Sequence, residues 1–219
     1  MRQPGLRMPV RFLADPPPAR RPNSVTMTTN DRSRPFAPRF SARRASEADV
    51  ELLRTLAAEA FPATYAALLA PAQIDYMMAW MYSAETIRRE MAAGMAWFVA
   101  EADGVPCGYF AVEHAGEALY VLQKIYLLPR FQGRGGGAGL FRRAVEYVRG
   151  LHRGPCRLEL HVNRGNRAVG FYERMGMRRL REGDFDIGGG YYMNDYIMGM
   201  ELDGVAAAAE APSCGAAVR

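Results

Sequence analysis

Residues 118–150, ALYVLQKIYLLPRFQGRGGGAGLFRRAVEYVRG, constrain the fold more than any other part of the chain. An apolar strand pattern runs into Pro129, and a glycine-dense turn follows. Leu140, Phe141, Ala144, Val145 and Val148 then repeat at helical spacing, with Arg142, Arg143, Glu146 and Arg149 on the other side. A helix start leaves its first four backbone N–H groups without intrahelical partners, and glycines put no side chain between those groups and an anion. Strand, glycine turn and amphipathic helix in this order predict a phosphate-binding turn.

The rest of the chain predicts one domain around that turn. A length of 219 residues and 49% apolar content suit a single globular core. Residues 1–44 carry ten Arg against Asp15 and Asp31, so the net charge of +5 comes from the N-terminal stretch rather than from a basic face of the domain. Segments such as ADPPPARRPNS lack periodicity, and residues 1–38 are expected to be a disordered Arg/Pro-rich extension that a chain starting at Arg39 can do without. Clustered Arg without interleaved aromatics does not read as a nucleic-acid arm, and no nucleic-acid partner is expected. Met27 offers a second translation start. Residues 204–219 read as a flexible tail, leaving residues 39–203 as the folded domain. Cys107, Cys156 and Cys214 lack metal or redox spacing, and no apolar run is long enough to span a membrane. A cytoplasmic protein with no metal and no membrane partner is expected.

In chain order, residues 39–44 alternate as a first strand, and Ser46 with Asp49 three residues later opens a helix striped by Val50, Leu53, Leu56, Ala57 and Phe61. Pro71 starts a second helix surrounded by Tyr76, Met77, Met78, Trp80, Met81 and Tyr82, and Ser83 and Gly94 bound a third. Residues 96–101 and 108–113 read as a hairpin turning at Asp103 and Gly104. Beyond the glycine turn come a strand over 157–162, a helix, a short strand over 177–181, a glycine turn over 188–190 and a last strand over 191–202.

Gln132, Gly135 and Gly137 form Q-x-x-G-x-G, and RLELHVNRGNRAVGFYERMGM over 157–177 supplies N-x-x-A-x-x-F-Y-x-x-x-G-M. The two spaced segments resemble the acetyl-CoA loop and the following strand and helix of the GNAT N-acetyltransferase superfamily. The early region and GGGYYMNDYIM resemble, more diffusely, a bacterial branch that includes polyamine N-acetyltransferases. The resemblance implies an α/β domain of α+β type with a mixed, mostly antiparallel twisted sheet, helices on both faces, and acetyl-CoA bound where two central strands splay apart. It further implies transfer of the acetyl group by direct attack of a primary amine, whether a small amine, a polyamine or a protein amine. A homodimer is among the assemblies it allows.

Residue by residue, the resemblance assigns the pyrophosphate to the turn of Gln132, Gly133, Arg134, Gly135, Gly136, Gly137 and Ala138, with Arg130 as a second source of charge-assisted contacts. Backbone groups of Tyr126, Leu127 and Leu128 are expected along the pantetheine arm, read as an added strand would be. Asn166 caps the next helix and by resemblance also contacts CoA; Tyr172 takes the place of the tyrosine that protonates the departing thiolate. Two departures stand out. The central strand reads Gln123 and Lys124 where the family often has a carboxylate base, leaving Glu113, His114, Glu159 and His161 as unassigned candidates, and Gly136 replaces an apolar residue, which is expected to loosen the turn. Asp184, Asp186 and Asp195 read as solvated charges near the last turn that can attract a cationic acceptor, and the Met and aromatic cluster of the second helix as the wall of the acceptor site.

Gly133, Gly135 and Ala138 also fit the G-x-G-x-x-A of dinucleotide-binding oxidoreductases, but hairpins precede the turn and no acidic residue ends the next strand. The stronger rival is a non-catalytic acyl-CoA-binding module. The absent strand carboxylate favours it and the retained Tyr172 disfavours it.

Overall fold

The computed structural model describes residues 38–204. Nearly all of the expected N-terminal extension and C-terminal tail, with Met27 and Cys214, lies outside the described residues.

Seven strands among the described residues form one sheet: β1 (Phe40–Arg44), β2 (Ala96–Ala102), β3 (Val105–Gly116), β4 (Leu119–Leu127), β5 (Cys156–Asn163), β6 (Arg178–Gly188) and β7 (Tyr191–Leu202). Their spatial order is β1-β2-β3-β4-β5-β7-β6, and every neighbouring pair is antiparallel except the parallel β4 and β5. One face is covered by α1 (Val50–Tyr65), α2 (Pro71–Met81) and α3 (Ala84–Ala92), which bury Leu53, Phe61, Met77 and Ile87 against Trp97, Tyr109 and Tyr126. The other is covered by α4 (Gly136–Leu151) and α5 (Ala168–Arg174), which bury Leu140, Phe141, Phe171 and Tyr172 against Phe110, Leu122 and Leu160. The fold is the α/β arrangement expected from the resemblance, with helices on both faces.

Local chemistry explains most element ends. Ser46 and Asp49 close a capping box in which the Ser46 N–H donates to Asp49 Oδ2 at 2.9 Å, and a 3-10 turn (Glu47–Asp49) leads into α1. Pro71 sits at the first turn of α2, and Ser83 Oγ accepts the Thr86 N–H at 3.1 Å to cap α3. Asp103 and Gly104 both have positive φ, +50° and +79°, which suits a two-residue hairpin turn between β2 and β3.

One expected element is corrected. The short strand expected over 177–181 is an eleven-residue β6, so Asp184 and Asp186 lie within a strand rather than in a loop. Phe185 and Ile187 alternate with them onto the α1–α3 face, and the length of β7 supplies backbone partners for the whole segment. Asp195 is corrected too: it belongs to β7 and is fully buried, not a solvated charge.

Candidate active site

The site is built where β4 and β5 part. They pair only at Leu119↔Arg157, Tyr120↔Leu158 and Val121↔Glu159, although β4 continues to Leu127 and β5 to Asn163. β5 instead stays paired with β7 along its whole length. β4 is diverted at Gln123, the extra residue of a bulge between the pairs Ala111↔Lys124 and Val112↔Leu122. The result is a gap in the middle of the sheet, lined by the strand edges of residues 122–127 and 160–163.

Leu128 donates its N–H to Cys107 O at 2.8 Å, so its donor is committed to the β3 side. Because an antiparallel ladder alternates, Tyr126 also turns its backbone groups to β3, while Ile125 and Leu127 turn theirs toward the gap. The Leu127 carbonyl accepts from Gln132 Nε2 at 3.1 Å, which ties the glycine turn to the strand that precedes it. Of the three residues expected along an extended pantetheine arm, Leu127 is the one whose backbone faces that edge, and Ile125, which the sequence did not single out, joins it. Only strand parity reveals this.

The glycine turn ends at α4 with Gly135 as N-cap at φ +80°, a left-handed angle that favours glycine, and a Cβ there would meet no atom within 4 Å. The first turn of α4 holds no acidic side chain, so none stands against the positive end of the helix dipole, an arrangement that suits an anion. Arg134 is exposed beside it, whereas Arg130 is held by Glu59 of α1. At Gly136 the structure shows a spatial reason for glycine beside the freedom expected of it. It is buried, and the space its side chain would need holds the ring of Phe40 and Cδ1 of Leu127.

Asn166 is buried, and its Oδ1 accepts the Ala168 N–H at 2.9 Å, capping the start of α5 as expected. That helix buries Tyr172 in the cluster that holds Ile125, Leu127 and Leu160 of the two strands that part. Its ring packs on Phe141 at 6.1 Å and Phe171 at 5.4 Å between centroids, with no part of the residue exposed. Burial pushes the Tyr172 phenol well above the ordinary tyrosine range, and the Tyr126 phenol adds to the shift. Tyr172 packs with the α4–α5 core and Tyr126 with the α1–α3 core, on opposite faces of the sheet.

On the α1–α3 face, α2 is fastened to the β6–β7 hairpin. The Tyr76 hydroxyl donates to Ile187 O at 2.9 Å, Gln73 Nε2 donates to Tyr192 O at 2.9 Å, and the Tyr76 ring lies 5.3 Å from Tyr191 and 6.1 Å from Trp80. The methionine and aromatic cluster of α2 thus joins a hairpin 110 or more residues later in the chain, forming one aromatic wall.

The four candidate bases separate. His114 stacks on Tyr120 at 4.8 Å, a ring of the α4–α5 core, and so sits on the opposite face. Glu113 accepts from Gln123 Nε2 at 2.8 Å. Glu159 is buried between Arg181 at 3.2 Å and Arg157 at 3.7 Å, at the closed end of the gap. His161 lies two residues farther into the open half, its ring 5.2 Å from Phe185 on the α1–α3 face. The central strand also acquires a carboxylate that the sequence did not reveal: Lys124, buried 4.7 Å from the Trp97 ring centroid, donates to both oxygens of Glu90 at 3.1 and 2.9 Å. No signal local to either residue joins them.

The profile described as "Acetyltransferase (GNAT) family" matches residues 51–177. An uncharacterized N-acetyltransferase of Mycobacterium tuberculosis is 30% identical over 156 residues, covering 70% of this chain and 98% of the relative. Among solved structures, the PaiA N-acetyltransferase of Thermoplasma acidophilum in complex with coenzyme A aligns with a TM-score of 0.57 at 24% identity, over 75% of this chain and 99% of that one. A spermidine/spermine N-acetyltransferase of Vibrio cholerae aligns with a TM-score of 0.53 at 20% identity, over 74% of this chain and 93% of that one. At these identities the structural likeness establishes the fold.

Proposed function

The chain belongs to the acetyltransferase (GNAT) family and is an acetyl-CoA-dependent N-acetyltransferase, and we propose that its acceptor is a small primary amine on a methylene or aromatic stem, of the polyamine type. Acetyl-CoA enters with its pyrophosphate on the N-terminal turn of α4 and its pantetheine arm along Ile125 and Leu127, so that the thioester reaches the gap. The acceptor approaches from the α1–α3 face, where the rings of Tyr76, Trp80 and Tyr191 form a wall against which a methylene stem packs and to which a cationic nitrogen is attracted. The amine attacks the carbonyl directly, the carbon–sulfur bond breaks, and Tyr172 delivers a proton to the sulfur.

What supports the mechanism is that Tyr172 is buried in one cluster with Ile125, Leu127 and Leu160 of the two strands that part, and with Leu140 and Phe141 of the glycine-capped α4. The wall carries the choice of acceptor.

Thiol release from acetyl-CoA with a panel of polyamines, monoamines, amino acids and peptide α-amines tests both. Turnover greatest with polyamines or monoamines of long stem is expected. Turnover confined to peptide α-amines or amino acids would replace the acceptor class, and no thiol release with any amine would remove the transfer reading.

A further inference from the structure

An alkylammonium acceptor has to lose a proton before it can attack. At a pKa of about 10.4, less than one part in a thousand of such an amine is neutral at pH 7. β4 offers no carboxylate of its own in the gap, since Gln123 and Lys124 stand there and the Lys124 ammonium is occupied by Glu90. Of the chain's three histidines, His114 lies on the α4–α5 face and His152 ends α4, its ring 6.0 Å from Tyr120. His161 alone lies on the face the acceptor uses, past the last β4–β5 pair and level with the bulged Gln123 across the gap.

The register of β5 and β7 places a carboxylate beside it. His161 opposes Ile197 and Asn163 opposes Asp195, so His161 and Asp195 are diagonal neighbours on one face of the sheet. Asp195 is fully buried, and His161 Nδ1 is buried while the residue as a whole is partly exposed. A buried carboxylate diagonal to an imidazole across a strand pair favours its protonated form, which suits a base that takes a proton from substrate.

We propose that His161 is the general base of the reaction and Asp195 its positioning residue, an inference that rests on the acetyl-transfer reading above. His161 Nε2 takes one proton from the ammonium and passes it to solvent. The neutral nitrogen then forms its bond to the acetyl carbon. As the amide forms and the carbon–sulfur bond breaks, Tyr172 gives its proton to sulfur, nitrogen releases its second proton to solvent, and solvent returns one to the phenol, so the overall reaction releases a single proton. The other charged and titratable groups on this face include Glu159 with Arg181 and Arg157 on β5's own side, and Glu113 on Gln123, Lys124 with Glu90, and Tyr126 across the gap.

Two measurements on the full-length protein test the pair. In single-turnover acetylation of spermidine and benzylamine, His161→Gln is expected to lose about 10²–10⁴-fold and the ascending limb of the pH profile, while His161→Glu keeps part of the rate with that limb moved to lower pH. Acetyl-CoA affinity and Tm stay near wild type in both. A folded His161→Gln protein within about threefold of wild type, with the same limb, overturns the base. Independently of any acceptor, NMR titration of the three imidazoles with CoA bound is expected to show His161 titrating at lower pH in Asp195→Asn. An unmoved His161 titration overturns the pairing. If wild type releases no thiol with any amine, the transfer reading falls and the titration alone decides the pair.

Discussion

The ring of Phe40 on β1 stands where a side chain on Gly136 would stand, a Cβ there lying 2.6 Å from two of its ring carbons and 2.8 Å from Leu127 Cδ1. The first strand is thereby packed onto the first turn of α4, and the turn is held in place by the absence of a side chain. Gly136→Val is expected to cost about 1–3 kcal/mol by overpacking. Adding Phe40→Ala is expected to recover about 1 kcal/mol or more relative to the sum of the single changes, as for residues in contact. Urea unfolding of the four proteins measures the cycle, and strict additivity contradicts the contact.

Gly135 is constrained differently, by its angle rather than its space. With φ at +80°, a β-branched residue is forced into a forbidden region, so Gly135→Val distorts the N-terminal turn of α4 and is expected to weaken acetyl-CoA binding. Gly135→Asn, which tolerates the left-handed region, is expected to bind more tightly than the Val variant. Titration calorimetry on folded variants distinguishes the two, and unchanged affinity in Gly135→Val removes the turn from the cofactor site.

Tyr172 packs through its ring, and the acid role proposed for it belongs to its hydroxyl, so Tyr172→Phe separates the two. Single-turnover acetyl transfer is expected to fall by about 10²–10⁴-fold, with acetyl-CoA affinity little changed. Because burial holds its proton well above the ordinary range, no loss of activity from Tyr172 ionisation is expected up to about pH 10. A loss smaller than about threefold, well under the usual contribution of a general acid, leaves Tyr172 as a packing residue.

The Lys124–Glu90 pair joins α3 to the central strand. Glu90→Ala leaves a buried ammonium facing Trp97 and is expected to destabilise by about 3–5 kcal/mol, whereas Lys124→Met, which removes the buried charge and keeps its stem, is expected to cost far less. Equal losses in chemical denaturation indicate that packing, not charge, governs the site.

Asp49 should mark the acid side of the stability curve. The Arg43 guanidinium, with the Ser46 N–H, lowers its carboxyl to about 2. A depressed folded-state value contributes stability that is complete above the unfolded value near 3.9 and fades as pH falls through about 2. Asp49→Asn should therefore lose stability less steeply between about pH 4 and 2 than the parent chain. Parallel Tm curves over that interval contradict the assignment.

The amino-acid sequence by itself determined the elements whose causes are local. The stripe from Leu140 to Val148, the Ser46–Asp49 box, Pro71, the Asp103–Gly104 turn and the glycine-capped start of α4 all depend on residues within a few positions of one another, so they are legible before any tertiary contact is known. The spaced motifs around Gln132 and Tyr172 made the family legible as well. Tertiary structure decided the rest. β6 runs to Gly188 because β7 offers partners, β4 leaves β5 after Val121 because of a bulge at Gln123, and Asp195 is buried rather than solvated because its strand lies inside the sheet. Lys124 meets Glu90, Gly136 receives Phe40, and His161 comes to lie diagonally from Asp195 across separations of 34 to 96 residues, as their numbering shows. Such pairings are chosen by strand register and by which face each residue takes, and a register depends on the partner strand as much as on the residue itself.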